Sequence, residues 1–342
     1  MTRYVELSPG TVTLRDGPAP AVPTGWARVS VSACGICGTD LHLLEGMRLP
    51  PGASYPLQPG HEVCGTVAEL GDGGGGPHAI EVGMQVVLHP LAPCGSCEVC
   101  VSGDPEQCAS KLILGIHLPG GLATELVWPV SRMVSVPGVD ARRAAVLADA
   151  VATANSALDA ARLPPGGALC VIGAGGVGTH VLELARIRDP KARLVGVVRS
   201  PASAERLTAS GFDAVVGLDS GPLRERGPYH AVVDFSGDPA GPEFGLKLLR
   251  PRGVYVFGSV LEGDLHVGAA QRVQARELTI TGVVASTMTD LRVVADLATS
   301  GALDLGPSIT HEFGLSEVAA AFQTLRDRPP GMVRTVVNVG PG

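Results

Sequence analysis

Aromatic side chains are scarce in this sequence, at 4% of a chain whose hydrophobic residues make up 45%. Its cores must therefore be filled by Val, Ala and Leu rather than by large rings. No apolar run reaches the roughly 20 residues of a membrane-spanning helix, which argues against a membrane protein. Basic blocks are missing as well. With 26 Lys and Arg against 33 Asp and Glu the net charge is −7, which speaks against nucleic acid or an anionic membrane as the main partner. The opening MTRYVELSPG lacks the apolar run of a secretory signal. The chain is thus expected to be soluble and cytoplasmic, a setting that keeps thiols reduced. Neither an internal repeat nor an extended low-complexity segment is found.

What is present falls into two textures. A length of 342 residues suggests two domains. The first stretch is rich in Gly and Pro, with short alternating runs. ARVSVSA (Ala27 to Ala33) and QVVLHP (Gln85 to Pro90) read as strands, and GDGGGG (Gly71 to Gly76) as a mobile turn. Beyond about residue 150, short apolar runs alternate with helix-length segments. The runs are ALCVIG from Ala168, LVGVV from Leu194, AVVDF from Ala231, VYVFG from Val254 and LTITGV from Leu278. Val177, Val181, Leu184 and Ala185 recur at helical spacing after the first run. Apolar strands separated by helices predict a parallel sheet covered on both faces, an α/β fold. The tail carries one helix-like stretch, SEVAAAFQTL (Ser316 to Leu325), then VRTVVNV.

The eight cysteines all lie in the first half. In a reducing compartment such clustering points to metal or chemistry before disulfides. Cys94, Cys97, Cys100 and Cys108 are spaced C-x2-C-x2-C-x7-C. Four thiolates this close can surround one tetrahedral zinc ion, a closed site that leaves no position for substrate. An iron–sulfur cluster is the competing metal, but no second cysteine set or following proline completes that pattern. The zinc is expected to brace an exposed lobe with little apolar content of its own.

GAGGVG (Gly173 to Gly178) matches G-x-G-x-x-G, and it follows a predicted strand and opens a predicted helix. Gly173 serves the tight turn, Gly175 the close approach of backbone to a pyrophosphate, and Gly178 the packing of helix on strand. With Gly176 and Val177 these residues form a candidate dinucleotide site at a helix N-terminus. An acidic residue at the end of the second strand would bind the ribose 2′-hydroxyl of NAD. None occurs from Pro190 to Ala204; Arg199 and Ser200 stand there instead and suit a 2′-phosphate, which favours NADP over NAD.

PGHEVCG adds His61 and Glu62, some twenty residues after ACGICGTDLH with Cys34, Cys37, Thr39, Asp40 and His42. A catalytic zinc needs about three protein ligands and one open position. GICGTDLH, PGHE, the four-cysteine lobe and GAGGVG, in that order, resemble the zinc-dependent medium-chain dehydrogenase/reductase family, the alcohol dehydrogenases, over essentially the whole chain.

The resemblance implies a GroES-like catalytic domain at 1–145, to which 286–342 return, and a Rossmann dinucleotide-binding domain at 146–285. It implies Cys37 and His61 as catalytic zinc ligands, with Asp149 of AAVLADAVAT as the third, although Ala148 stands where the family pattern has Thr. Glu62 either ligates the ion in some states or supports it from behind. The ion would polarise the substrate oxygen as hydride passes to the nicotinamide. Thr39 and His42 match the family's proton relay, and Asp40 makes structural hydrogen bonds. Ser236 falls near the adenine, Gly258 and Ser259 near the nicotinamide, and Arg334 at the pyrophosphate. The absence of a Glu-Pro pair in the later segment tilts the substrate from a polyol towards a simple alcohol or carbonyl compound. The implied assembly is a homodimer or homotetramer. Two other readings are an NAD-dependent polyol or amino-alcohol dehydrogenase and a catalytically silent zinc- and nucleotide-binding sensor. Cys34, Cys64 and Cys170 are expected to be core thiols. His89 and His117 read as hydrogen-bonded loop residues; His78, His180, His230, His266 and His311 read as loop or surface.

Overall fold

The computed structural model describes residues 1–73, 80–218, 221–259 and 264–340. The end of the GDGGGG turn and His78 lie outside the described residues. The chain divides into two compact units: Met1–Asp149 with Thr287–Pro329 and Arg334–Gly342, and Ala150–Ser286 with Pro330–Val333.

The first unit is organised around the long strand Trp26–Ile36. Its sequence alternates, so Ala27, Val29, Val31 and Ala33 are buried on one face. It sits inside a seven-stranded sheet. The sheet runs Ile309–Gly314, Arg334–Asn338, Trp26–Ile36, Glu62–Leu70, Gln85–Leu88, Met133–Ser135, and Glu125–Pro129 also pairs with the long strand. Of the few aromatics, Trp26 and Trp128 meet edge to face at 6.1 Å between ring centroids.

The tail holds two helices, Met288–Thr299 and Val318–Asp327, where one was expected. The missed helix opens with a capping box between Thr287 and Asp290, and it buries Met288, Leu291, Val294 and Ala295. Arg292 and Asp296 lie off that face, so the helix is amphipathic. The tail then supplies the strand Arg334–Asn338, antiparallel to Trp26–Ile36 with Thr335 opposite Ile36.

The cysteine lobe contains a short helix, Glu98–Val101, one 3-10 turn, Pro105–Gln107, and a two-residue strand, Leu112–Ile113, paired with Leu91–Ala92. Val99, Val101 and Leu112 are exposed, so the lobe has almost no core of its own. A buried polar chain fastens it to the sheet. The Arg132 guanidinium donates to Glu106 Oε1 at 3.0 Å and lies 2.8 Å from His89 Nδ1, and Trp128 Nε1 donates to the His89 carbonyl at 2.9 Å. His117 is held by the Ile113 N–H at 3.2 Å.

The second unit holds a six-stranded parallel sheet. Its order is Asp213–Val216, Arg193–Val198, Ala168–Ile172, Tyr229–Asp234, Leu249–Phe257, Thr279–Gly282. Counted within the unit that is 3-2-1-4-5-6, the order of a Rossmann fold. The strand Asp213–Val216 has no counterpart among the runs picked out from sequence, because DAVV is short and open to solvent at both ends. Ile172, Val195, Val232, Leu246 and Tyr255 share the core.

Three of the histidines read as loop or surface lie in helices or strands, His311 in the strand Ile309–Gly314. His180 is fully buried in the helix Gly178–Arg188, its Nδ1 2.7 Å from Glu183 Oε2 one helical turn on. His230 lies in a strand, and its Nδ1 accepts from the Ala168 N–H at 3.0 Å. Among the described residues no helix is long and apolar enough to cross a membrane.

Candidate active site

Cys37 leaves the long strand and caps the helix Gly38–Leu44. Its Sγ accepts from the Thr39 N–H at 3.3 Å, while Asp40 Oδ2 accepts from the Cys37 N–H at 3.0 Å. The cap fixes the thiol against the sheet end. His61 stands at the start of the strand Glu62–Leu70, with Nε2 3.1 Å from Cys37 Sγ and 3.7 Å from Asp149 Oδ2. Its other nitrogen, Nδ1, lies 3.6 Å from the buried Asp40 carboxylate. With a metal on Nε2, the Asp40 carboxylate would suit the Nδ1–H tautomer. Burial works against charge on His61, but Cys37, Asp40 and Asp149 outweigh it and hold its pKa well above the usual value.

Asp149 is carried by a π-helical turn, Leu147–Val151, between the helices Ala141–Ala145 and Ala152–Ala161. Donor atoms of Cys37, His61, Glu62 and Asp149 all lie within 4.8 Å of one another. One soft thiolate, one imidazole and carboxylates at this spacing form a donor set that suits zinc. Asp149 keeps 22% of its side-chain surface exposed, whereas His61 and Glu62 are buried.

Glu62 depends on the sheet register. It pairs with Gly35 across the strands, and a Cβ on Gly35 would overlap its carboxylate. The same carboxylate receives the guanidinium of Arg334, and both side chains are buried. The strand Arg334–Asn338 thus sets Arg334, the residue expected at a pyrophosphate, against Glu62. Burial tends to strip its charge, but the Glu62 carboxylate outweighs that and raises its pKa. Glu62→Gln leaves this guanidinium buried without its counter-charge, and is expected to cost about 3–5 kcal/mol of stability. An unchanged urea midpoint would contradict that.

Thr39 and His42 are three apart on the helix Gly38–Leu44, so they share a face. His42 is open to solvent and 3.6 Å from Glu45.

In the lobe, Sγ–Sγ separations are 3.4 Å (Cys97–Cys100), 3.6 Å (Cys94–Cys108), 3.8 Å (Cys97–Cys108) and 3.9 Å (Cys94–Cys100). Disulfide sulfurs would be about 2.05 Å apart. A zinc tetrahedron with Zn–S bonds of about 2.3 Å has edges of roughly 3.8 Å, which these distances match. Backbone N–H groups of Ser96 and Cys97 lower the Cys94 pKa to about 6, which favours a thiolate. Cys34, Cys64 and Cys170 are buried, as expected, and burial pushes the Cys64 thiol up to about 12.

In the second unit, the strand Ala168–Ile172 runs into the glycine turn and then into the helix Gly178–Arg188. Gly173 has φ +78°, which a side chain resists, and a Cβ on Gly178 would overlap the Gly173 carbonyl. Gly175 faces open space with nothing within 4 Å of a Cβ, leaving room for a phosphate group over Gly176 and Val177. The Gly175 and Val177 carbonyls accept from the Thr179 and His180 N–H groups at 3.1 and 3.0 Å, which joins the turn to the helix. Arg199 is exposed just past Arg193–Val198. Ser200 caps the helix Pro201–Ala209 by accepting from the Ser203 N–H at 3.3 Å.

Ser236 has its hydroxyl committed. It donates to Asp234 Oδ1 at 2.6 Å and accepts from the Asp238 N–H at 3.1 Å, so it shapes the loop after its strand. Tyr255 also donates to the buried Asp234, at 2.7 Å. The Gly258 N–H bonds the Asp234 carbonyl at 3.1 Å, and Ser259 Oγ accepts from the Gly237 N–H at 3.2 Å. One residue escaped the sequence reading. Arg206 Nη2 lies 3.4 Å from the Ala174 carbonyl and 3.3 Å from Thr179 Oγ1, and so secures the glycine turn from behind. No spacing motif marks it; it is one basic residue on a helix.

Residues 23–138 match the family model for the alcohol dehydrogenase GroES-like domain. Over 329 residues the chain is 30% identical to a probable zinc-binding alcohol dehydrogenase of Mycobacterium tuberculosis, covering 93% of this chain and 84% of that one. It is 28% identical over 309 residues to the L-galactonate-5-dehydrogenase of Escherichia coli, covering 87% of each. Among solved structures, the alcohol dehydrogenase TADH of Thermus sp. ATN1 matches with a TM-score of 0.88 at 25% identity, covering 99% of this chain and 100% of that one.

Proposed function

Because the chain belongs to the zinc-dependent medium-chain dehydrogenase/reductase family, the alcohol dehydrogenases, we propose that it moves a hydride between NADP and a small alcohol or carbonyl compound. The observation that carries this reading is the gathering of Cys37, His61, Glu62 and Asp149 within 4.8 Å. Cys37, His61 and Asp149 would hold a catalytic zinc, with Glu62 adjacent. When bound there, zinc supplies Lewis acidity towards an oxygen, and the nicotinamide supplies hydride chemistry. The remaining work belongs to the chain. Asp40 keeps His61 in the tautomer that presents Nε2. Arg334 holds Glu62 in place and offsets its charge. Thr39 can accept and donate a proton in one hydroxyl. His42, on the same helix face and open to water, releases that proton to solvent.

The preference for NADP rests on Arg199, exposed after the second strand of the parallel sheet, with no acidic residue from Pro190 to Ala204. A guanidinium gives a 2′-phosphate charge-assisted hydrogen bonds that a hydroxyl does not need. Binding titrations should show NADPH tighter than NADH. Arg199→Ala should weaken NADPH by about tenfold or more and leave NADH nearly unchanged. Equal affinities in the unaltered protein would sink this preference.

A second reading is favoured by the 28% identity to a dehydrogenase of L-galactonate, a polyhydroxy acid. It has this chain oxidising a polyol or sugar acid with NAD. A panel of simple alcohols, ketones, polyols and sugar acids with both cofactors separates the two.

A further inference from the structure

At the opposite end of the parallel sheet from the glycine turn, where Arg193–Val198 and Asp213–Val216 begin, lies a cavity of about 220 Å³. Drug-sized ligands occupy about 300–1,000 Å³, so this space suits a smaller guest. Its wall includes Arg186, Arg193, Arg226, Asp213, Tyr229 and Gly211. Three guanidinium groups and one carboxylate leave a local excess of positive charge. The chain as a whole carries 33 acidic against 26 basic residues, so a positive cavity does not follow from composition.

The arginines are poorly satisfied by the protein itself. Arg193 Nη1 reaches the Arg226 carbonyl at 3.5 Å, and Arg186 Nη1 the Pro190 carbonyl at 3.4 Å, both at the limit of a hydrogen bond. Arg186 also lies over the Phe212 ring, at 5.7 Å. Arg226 Nη1 is 3.4 Å from Asp213 Oδ2 but is buried with no hydrogen-bond partner. Asp213 is two-thirds exposed, with 66% of its side chain open, so its carboxylate does little to neutralise three cations. Tyr229 lines the cavity and His230 follows it in the same strand. Burial, then Arg250 and Arg193, hold the His230 pKa below its usual value. Like charges so placed repel one another, and an anion between them would relieve both the repulsion and the unused donors.

We propose that this cavity binds a phosphoryl dianion, either free phosphate or the phosphoryl group of a small metabolite, at a site separate from the dinucleotide turn. A planar carboxylate is satisfied by a single guanidinium fork. A tetrahedral dianion presents oxygens in several directions, and can take hydrogen bonds from guanidiniums carried by three different elements. Those elements are the helix Gly178–Arg188, the strand Arg193–Val198 and the segment before Tyr229.

Calorimetric titration of the full chain tests this at constant ionic strength, with the dinucleotide turn saturated by NADPH. The probes are inorganic phosphate in one arm and glycerol phosphate in the other. Saturable binding near one equivalent is expected in at least one arm. The two arms distinguish the free ion from a phosphomonoester. Arg193→Gln and Arg226→Gln, made singly, should each weaken that binding by about tenfold or more, as expected for loss of a charge-assisted hydrogen bond. NADPH affinity and turnover should stay unchanged in both variants. Absence of saturable heat in both arms overturns the proposal. So does binding that persists undiminished in both variants.

Discussion

Cys37→Ser is expected to lower kcat/KM by roughly three orders of magnitude or more and to remove the metal held by one of the two donor clusters. Serine is close in size, but its hydroxyl is a hard donor that stays protonated near neutral pH. A thiolate is deprotonated outright by zinc. The exchange also weakens the cap on Gly38–Leu44, since Cys37 Sγ accepts from the Thr39 N–H; serine can make that bond, so the helix should survive. Loss of Lewis acidity worth several kcal/mol corresponds to the stated fall in rate, at about 1.4 kcal/mol per factor of ten. Asp149→Asn is the milder companion. It keeps an oxygen donor but loses its charge, so metal should dissociate more readily while the lobe keeps its ion. Metal analysis after dialysis, together with initial rates, checks both. Full activity in Cys37→Ser, or unchanged metal content and activity in Asp149→Asn, would remove that residue from the ligand set.

The second large effect is on stability. Cys108→Ser opens the tetrahedron of the lobe. Cys108 is the buried member of that set, whereas Cys94 is exposed. Structural zinc sites contribute on the order of 10 kcal/mol of binding free energy to the folds they close. This lobe has little else, because Val99, Val101 and Leu112 face solvent. The Glu106–Arg132 bond ties it to the sheet. Once the lobe unfolds, Arg132 is left buried beside His89 without its carboxylate. A fall in Tm of about 10 °C or more is expected, with the catalytic metal still bound. A Tm within about 2 °C of the unaltered protein would mean that the cluster is not a structural site.

How much of this was legible in the sequence depended on the chain distance between partners. The lobe cysteines lie within one short segment, so spacing alone singled out the four thiols that the fold gathers. The glycine turn was equally local, because strand, turn and helix follow one another. The second donor cluster draws on Cys37, His61 and Asp149, which only the folded sheet and the π-helical turn bring together. Spacing could not have placed Asp149 beside Cys37 and His61; only the family resemblance pointed there. The Glu62–Arg334 pair was beyond reach in the same way, since it depends on strand register across the tail. Resemblance assigned Arg334 to a pyrophosphate, and nothing local showed that Gly35 clears the space for its carboxylate partner. Arg206 and the arginine-lined cavity are assembled from single basic residues on separate elements, which carry no spacing signal. The helix Met288–Thr299 is different: its capping box and its buried face, Met288, Leu291, Val294 and Ala295, were both readable and were passed over.

The turn Leu147–Val151 sets a limit on redesign of this protein. It holds one more residue per turn than a regular helix would, and its neighbours include Ala148 and Ala150, both strong helix formers. Local propensity therefore pulls towards an ordinary α-helix, and the surrounding packing holds the wider turn. Deleting Ala150 would relieve that tension, and a stability screen could select for it. Each residue advances an α-helix by about 100°, so resetting the winding would swing Asp149 away from Cys37 and His61. Thermostabilisation and turnover should part company at this segment, and engineering of the chain should leave its helical irregularity in place.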